Sequence, residues 1–353
     1  MLRMACTLAV ASFTPADDRP AGPSVPGSTL VDRVVDAPGP IPADVRERFG
    51  LKPFYEQCIV WEGLPFVASA KVDPRALQEA VWLARRMLRS RPEIARAMGA
   101  NNVRVAIMDV GEVTTDVPEH SDLEPKGYWD MRARGLGATP HRPAVSAGEE
   151  NLLTYPGDPY ATESIFIHEF AHAIHEMGLS SVDPTFDRRL EAAYDAAMKK
   201  GLWQGAYARE NRMEYWAEAT QSFFDTNREN DNQHNHVDTV TELKEHDPAV
   251  WELCMEVYGQ PWAYTRADAR AGQDHLAGWD SAASPTFAWA DAVREAWRQW
   301  ELLEQARKAG RAGRGRGDGV SAAPEGASDG RDSRGTDSGT NPGDGGTAGA
   351  KPE

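Results

Sequence analysis

Thiols, long apolar runs and excess positive charge are all scarce in this sequence of 353 residues. It holds only three cysteines, Cys6, Cys58 and Cys254. Spread this widely, they form no thiolate metal site, and if Cys6 leaves with a leader, Cys58 and Cys254 remain either as one disulfide or as two buried thiols. No stretch of eighteen apolar residues occurs, so no spanning helix and no stable membrane insertion are expected. Lys and Arg number 38 against 54 Asp and Glu, a formal charge of -16. That balance excludes a phosphate-binding surface and hence a nucleic-acid partner. No repeat of 20 to 50 residues is visible.

What is present is the composition of a soluble globular chain, 41% hydrophobic and 26% charged. The first thirteen residues, MLRMACTLAVASF, carry one arginine, an apolar run and an Ala-x-Ala at Ala9 to Ala11. They read as a short signal peptide, so a secreted, extracellular protein is expected. Residues 14–45 are rich in Pro, Gly, Asp and Ala and read as a flexible linker. The tail 308–353 is Gly, Arg, Ser and Asp in low-complexity order. It has too little apolar surface to offset its ordering entropy and is expected to be disordered. The folded part is expected over 46–305.

Within that part, Gln57 to Trp61 and Val103 to Asp109 read as strands. Asp73 followed by Pro74 reads as the start of a helix reaching Leu88. Thr114 to Pro143 reads as a long loop, and Pro143 to Ala147 as an edge strand. Ala161 to Met177 is expected to be a helix, with Gly178 as its C-terminal cap. Further helices are expected at 184–200, 206–225, 248–258 and 285–307, the last opened by Ser284-Pro285. Few strands and many helices give an α+β class, a small sheet beside a mostly helical body.

The chemistry begins with the segment HEFAH. His168 and His172 are four apart on a helix, which places both imidazoles on one face within reach of a single cation. Glu169 beside them is placed to act on a water at that cation. The pattern is short and arises by chance, so its weight comes from context: turn signals bound the segment, and Ile165, Ile167, Phe170 and Ile174 give it apolar bulk. A catalytic zinc takes three protein ligands and keeps one open position. His175 does not serve as the third, since it lies about 10 Å of helical rise from His168. The better source is the stretch from Tyr207 to Asp225, free of Gly and Pro and rich in aromatics. Glu214 and Glu218 share one face of it, and buried carboxylates there are costly unless paired or metal-bound. One of the two would complete a His₂Glu set, and the other would accept the N–H of a ligand histidine.

The pairing of HEFAH with YARENRMEYWAEA resembles the anthrax-toxin lethal factor family of zinc peptidases, which includes bacterial Pro-Pro endopeptidases. Tyr207 precedes Glu214 by seven residues, Tyr215-Trp216-Ala217-Glu218 follows directly, and Glu214 lies 42 positions after His172. The resemblance covers residues 160–225 only. It implies a zincin-like fold, with His168, His172 and Glu214 as ligands of Zn²⁺ and Glu169 as general base. It also implies Tyr207 as the phenol that supports the tetrahedral intermediate and Glu218 as the carboxylate behind a ligand histidine. The expected activity is zinc-dependent hydrolysis of a peptide or protein substrate. Two rivals are a zincin-fold recognition module that holds zinc without cleaving, and a zinc amidohydrolase acting outside proteins.

His234 and His236 in NDNQHNH are expected in a polar loop, with a second metal site or cleft lining as alternatives. His120 with Asp116, Asp122 and Glu124 fits no calcium-loop template. Glu150 and Asn151 are expected in a turn or at a cleft edge. Trp289, Val293, Trp297 and Trp300 fall at helical spacing and are expected to pack in the core.

Overall fold

The computed structural model describes residues 37–264 and 270–314, with side chains to 308. The expected signal peptide, most of the expected linker, Cys6 and nearly all of the expected tail lie outside the described residues. Six strands form one mixed sheet in the order β1-β2-β3-β4-β6-β5. They are β1 (Gly39–Pro40), β2 (Gln57–Trp61), β3 (Leu64–Ala68), β4 (Arg104–Met108), β5 (Gly135–Leu136) and β6 (Ala144–Gly148). The helices are α1 (Ala43–Phe49), α2 (Pro74–Met87), α3 (Pro92–Ala100), α4 (Lys126–Arg132), α5 (Glu149–Leu152), α6 (Ile165–Ala173), α7 (Ser180–Val182), α8 (Phe186–Lys200), α9 (Arg212–Phe223), α10 (Val240–His246), α11 (Pro248–Tyr258) and α12 (Asp291–Arg314). The class is α+β, as the sequence implies. The strand Gly39–Pro40 and the start of α1 fall within the stretch read as linker, and α12 runs on to Arg314.

β3, β4 and β6 are parallel neighbours, with Phe66 opposite Val105 and Val105 opposite Val145. All three are buried at every position, because both faces of the sheet are covered. The two-residue period of a strand sorts their side chains. Phe66, Ala68, Val105, Ile107, Val145 and Ala147 join the main core with α2, α3 and α6. Val67, Ala106 and Met108 point the other way, into a smaller core with Phe49, Leu51, Tyr55 and Cys58.

β6 is not an edge strand. It lies between β4 and β5, and Pro143 stays outside it, where its carbonyl accepts the Arg104 N–H at 3.0 Å. The stretch 114–143 is not one loop either, since it carries α4 and β5. The α12 helix begins at Asp291 rather than at Pro285. Its aromatic stripe is half-buried and absent from the core: Trp297 and Trp300 stand 6.0 and 4.6 Å from the Tyr128 ring on α4. A Cβ on Gly127 would come within 2.7 Å of the Ala296 Cβ, so glycine permits this approach of the two helices. Cys58 and Cys254 are both buried free thiols, one in each core.

β6 passes straight into α5, whose Asn151 secures the next helix start. Its Oδ1 accepts the Ile165 N–H at 2.9 Å, and its Nδ2 donates to Asp158 Oδ2 and to the carbonyls of Tyr160 and Glu163. Asn151 is thus a fully used anchor for the chain entering α6. Glu150 instead forms a fully buried ion pair with Arg134 at 2.6 Å.

Candidate metal centre

α6 begins at Ile165, four residues later than the apolar pattern suggests, with Ser164 accepting the Ile167 N–H. It does not stop at a glycine cap. From Ile174 to Leu179 the turns widen to π geometry, and Gly178 lies inside that stretch. A Cβ at Gly178 would come within 2.5 Å of Ile94 Cγ2 on α3, so the glycine serves close helix packing rather than a left-handed cap. The widening starts beside Ala171, whose carbonyl accepts the Trp216 indole N–H of α9 at 3.0 Å. A side chain bonded into the helical ladder is a recognised cause of such a departure.

Glycines also let β5 lie close against α6. A Cβ on Gly135 would meet Ile165 Cγ2 at 2.4 Å and Glu169 Cγ at 2.9 Å, and one on Gly137 would meet His172 Cβ at 2.7 Å. On the other side of α6 runs α9, which starts at Arg212 and not at Tyr207. Asn211 is its cap, and its Oδ1 accepts the N–H of Met213 at 2.9 Å and of Glu214 at 3.0 Å. Glu214 therefore sits in a pinned first turn, where the helix dipole also favours its charge.

Three donor atoms converge between these helices. His168 Nε2 and His172 Nε2 are 3.2 Å apart, and Glu214 Oε2 stands 3.1 Å from the first and 3.3 Å from the second. All three residues are buried. Among the described residues this is the one group of three or more His, Cys, Asp or Glu side chains so gathered. A tetrahedral ion bound at 2.0–2.1 Å spaces its donors about 3.3–3.4 Å apart, so the triangle has the size zinc requires. The donor chemistry fits as well. Burial opposes the charge on His168, but the hydrogen bond it donates to Glu214 and the charges of Glu169, Glu214 and Glu218 outweigh that and push it up to about 10. Carboxylates that stabilise a proton there also stabilise a metal cation.

Glu169 is 1% exposed, and its Oε2 has no hydrogen-bond partner. Burial pushes its carboxyl up to about 7. Tyr207 lies on a separate 3₁₀ turn, Tyr207–Arg209, with its ring 6.5 Å from that of His168 and stacked on it. Burial first and the Glu214 charge next hold its phenol protonated far above the usual range. Both residues thus border the donor triangle.

Glu218 is buried nearby, but it does not take the N–H of a ligand histidine. Its Oε1 is 3.6 Å from His168 Nδ1, beyond hydrogen-bond reach, while its Oε2 accepts from Asn227 Nδ2 at 3.0 Å and faces His234 Nε2 at 3.5 Å. The partner of His168 Nδ1 is Gln221 Oε1 at 2.8 Å, a residue that no motif singles out. Glu214, Glu218 and Gln221 follow the i, i+4, i+7 rhythm of one helix face, and that rhythm is the signal that could have found it.

Four further histidines lie outside the donor triangle. His175 is buried and bonded through Nε2 to Asp187 Oδ1 at 3.0 Å, and the same carboxylate receives Arg212 Nε at 2.8 Å. His234 and His236 lie in the expected loop, where His234 is buried and bonded to Asp231 Oδ1 at 2.8 Å and His236 is exposed. His120 meets Ser146 Oγ at 3.2 Å, while Asp122 pairs with Arg142, so the two do not share a cation site.

No family model matches this chain, and no curated protein matches it. Among solved structures, a Pro-Pro endopeptidase from Paenibacillus alvei is similar over 56% of this chain and 98% of that one, at 18% identity and a TM-score of 0.31. At that score the two chains share too little backbone geometry to transfer an activity.

Proposed function

We propose that the chain is a zinc-dependent peptidase with a zincin-like active site. The observation that carries this is the buried triangle of His168 Nε2, His172 Nε2 and Glu214 Oε2 with sides of 3.1–3.3 Å. Glu169 borders it with an unengaged carboxylate oxygen. When bound, zinc supplies Lewis acidity toward water and a peptide carbonyl. Those three side chains would hold it, and Glu169 and Tyr207 stand beside them to meet water and substrate.

Glu169 Oε2 is the atom that takes the proton of the attacking water and returns it to the leaving amine. The Tyr207 hydroxyl donates a hydrogen bond to the substrate oxygen as negative charge grows there. Burial of all these groups excludes bulk water, which strengthens each interaction. Neither Glu169 nor Tyr207 would be needed by a module that only holds zinc.

Incubation of the purified protein with a mixed peptide library, with and without chelator, tests this. Chelator-sensitive cleavage is expected. Glu169→Gln is expected to retain zinc and lose nearly all turnover. Bound zinc without cleavage would support a recognition module, and hydrolysis confined to non-peptide amides would support an amidohydrolase.

A further inference from the structure

We infer that Gln221 is the residue that sets the tautomer of His168 and aims its Nε2 lone pair at the metal position. The inference rests on the metal site proposed above and adds a residue that neither the motif nor the family resemblance names.

The side chain of Gln221 is fully buried on α9. An amide has one accepting end and one donating end, and their orientation is decided by what surrounds them. On one side stand two groups that only accept. The Ser164 carbonyl and Glu163 Oε2 each lie 3.2 Å from Gln221 Nε2. Glu163 is held as a carboxylate partner by Arg228, whose Nε is 2.8 Å from Glu163 Oε1. The NH₂ of Gln221 must therefore face Glu163 and Ser164, because the opposite orientation would set oxygen against oxygen twice in a buried site.

That choice passes to the histidine. With its NH₂ fixed, Gln221 presents Oε1 to His168 Nδ1 at 2.8 Å, and a carbonyl oxygen can only accept. Nδ1 must carry the hydrogen. In a neutral imidazole the other nitrogen is then bare, and His168 Nε2 is the atom facing His172 Nε2 and Glu214 Oε2. The Arg228–Glu163 ion pair thus orients Gln221, which accepts from His168 Nδ1–H, so the proton that a metal ion would displace from His168 is the one on Nε2, where a ligand is needed. Glu218 does not substitute, being 3.6 Å from Nδ1 and occupied by Asn227 and His234.

Outer partners of ligand histidines are worth ~10–100-fold in metal affinity. Zinc affinity by chelator competition, the rate of zinc release to excess chelator, and the histidine ¹⁵N spectrum of the zinc-loaded full-length protein would be measured for wild type, Gln221→Met and Gln221→Glu. Methionine keeps the volume and removes the acceptor, so its zinc affinity is expected to fall ~10–100-fold, with faster release. Glutamate keeps an acceptor for Nδ1–H but can face Glu163 and the Ser164 carbonyl only with its other oxygen protonated, so its zinc affinity is expected to lie between that of Gln221→Met and wild type. A purely structural role would lower the melting temperature of chelator-treated protein without changing affinity. Wild-type affinity in Gln221→Met would overturn the assignment, as would a loss confined to a Glu218→Gln variant. The zinc-loaded wild type tests the tautomer without any substitution: a His168 Nδ1–H signal is expected, and a hydrogen on Nε2 would overturn the inference. Wild type that binds no zinc would instead remove the proposed metal site itself.

Discussion

At the scale of single residues, the proposed site divides into atoms engaged with one another and an atom left unengaged. His168, His172 and Glu214 are engaged with one another, whereas Glu169 Oε2 is buried without a partner. A buried carboxylate oxygen left unbonded costs free energy, so an unbonded one beside a donor triangle is consistent with a group kept available for chemistry. Tyr207→Phe removes only a hydroxyl whose ring remains stacked near His168. Its kcat is expected to fall ~10²–10³-fold, with zinc content unchanged on elemental analysis. Loss of zinc from that variant would show that the phenol helps hold the site rather than the transition state. Glu214→Ala, by contrast, removes one of the three donor atoms and is expected to abolish stoichiometric zinc at micromolar metal, while near-native zinc content would refute the triangle as the binding site.

At the scale of elements, two helices carry the site, and each is held by a local device. Asn211 pins the first turn of α9 through the N–H groups of Met213 and Glu214. Asn211→Ala should cost about 1 kcal/mol in urea unfolding. It should also weaken zinc binding, because Glu214 stands on the turn released. A stability loss with unaltered zinc affinity would separate the cap from the ligand. The α6 helix owes its path to Gly178, where a methyl group would collide with Ile94. Gly178→Ala is expected to cost ~1–3 kcal/mol. Its cost should be non-additive with Ile94→Ala in a double-mutant cycle, because the second change removes the atom struck. Additive costs would mean that the glycine is needed for some other reason.

The same scale shows where local pattern stops being informative. β2 and α2 are readable from their residues because a β-branched, apolar run between turn signals and an Asp-Pro start are local signals. β3 is not, because it is buried on both faces and so loses alternation, and Pro65 argues against a strand. The proline is tolerated because the pairing with β4 begins only at Phe66. α10 is absent from the expected helices although Thr239 and Glu242 form a reciprocal cap at its start. The tryptophans of α12 carry a core-like period, yet the face they pack on is α4 at the surface. Period tells which side of a helix is apolar and not what covers it.

At the scale of the whole molecule, stability depends on buried titratable groups of opposing sign. Burial pushes His120 and His175 down to about 4, so the folded state resists a proton that the unfolded chain accepts near 6.5. Each contributes stability that is present above pH 6.5 and lost as pH falls through 4. Burial pushes Glu149 up to about 8, so its contribution runs the other way and is lost as pH rises from 4.5 through 8. Because these slopes offset one another, the sign is best read on a variant. Wild type minus His120→Gln stability should shrink by up to ~3 kcal/mol between pH 6.5 and 4, measured by urea unfolding. A difference independent of pH would mean that His120 does not titrate as burial dictates. A metal at the proposed site would add a second global term: chelation of the loaded protein should then lower the melting temperature, since an ion bound only to the folded state stabilises it by mass action.

How much of the site is legible in the sequence follows from these scales. The spacing of His168 and His172, and of Glu214 and Glu218, is legible because the α-helical period alone puts each pair on one face. So is the presence of a mixed α+β body, since capping residues and apolar periods are local properties. The distance between the two faces is not. It follows from how α6 and α9 pack, through Trp216 on Ala171 and through Gly135 of β5 and Gly137 just after it, and packing is a sum over many side chains distant in sequence. That packing brings Glu214 Oε2 to the histidines, sets Glu218 back at 3.6 Å, and puts Gln221 against His168 Nδ1 instead. Residues four apart on one helix are related by backbone geometry, whereas atoms 53 residues apart, as His168 and Gln221 are, meet only because the folded core brings their helices together.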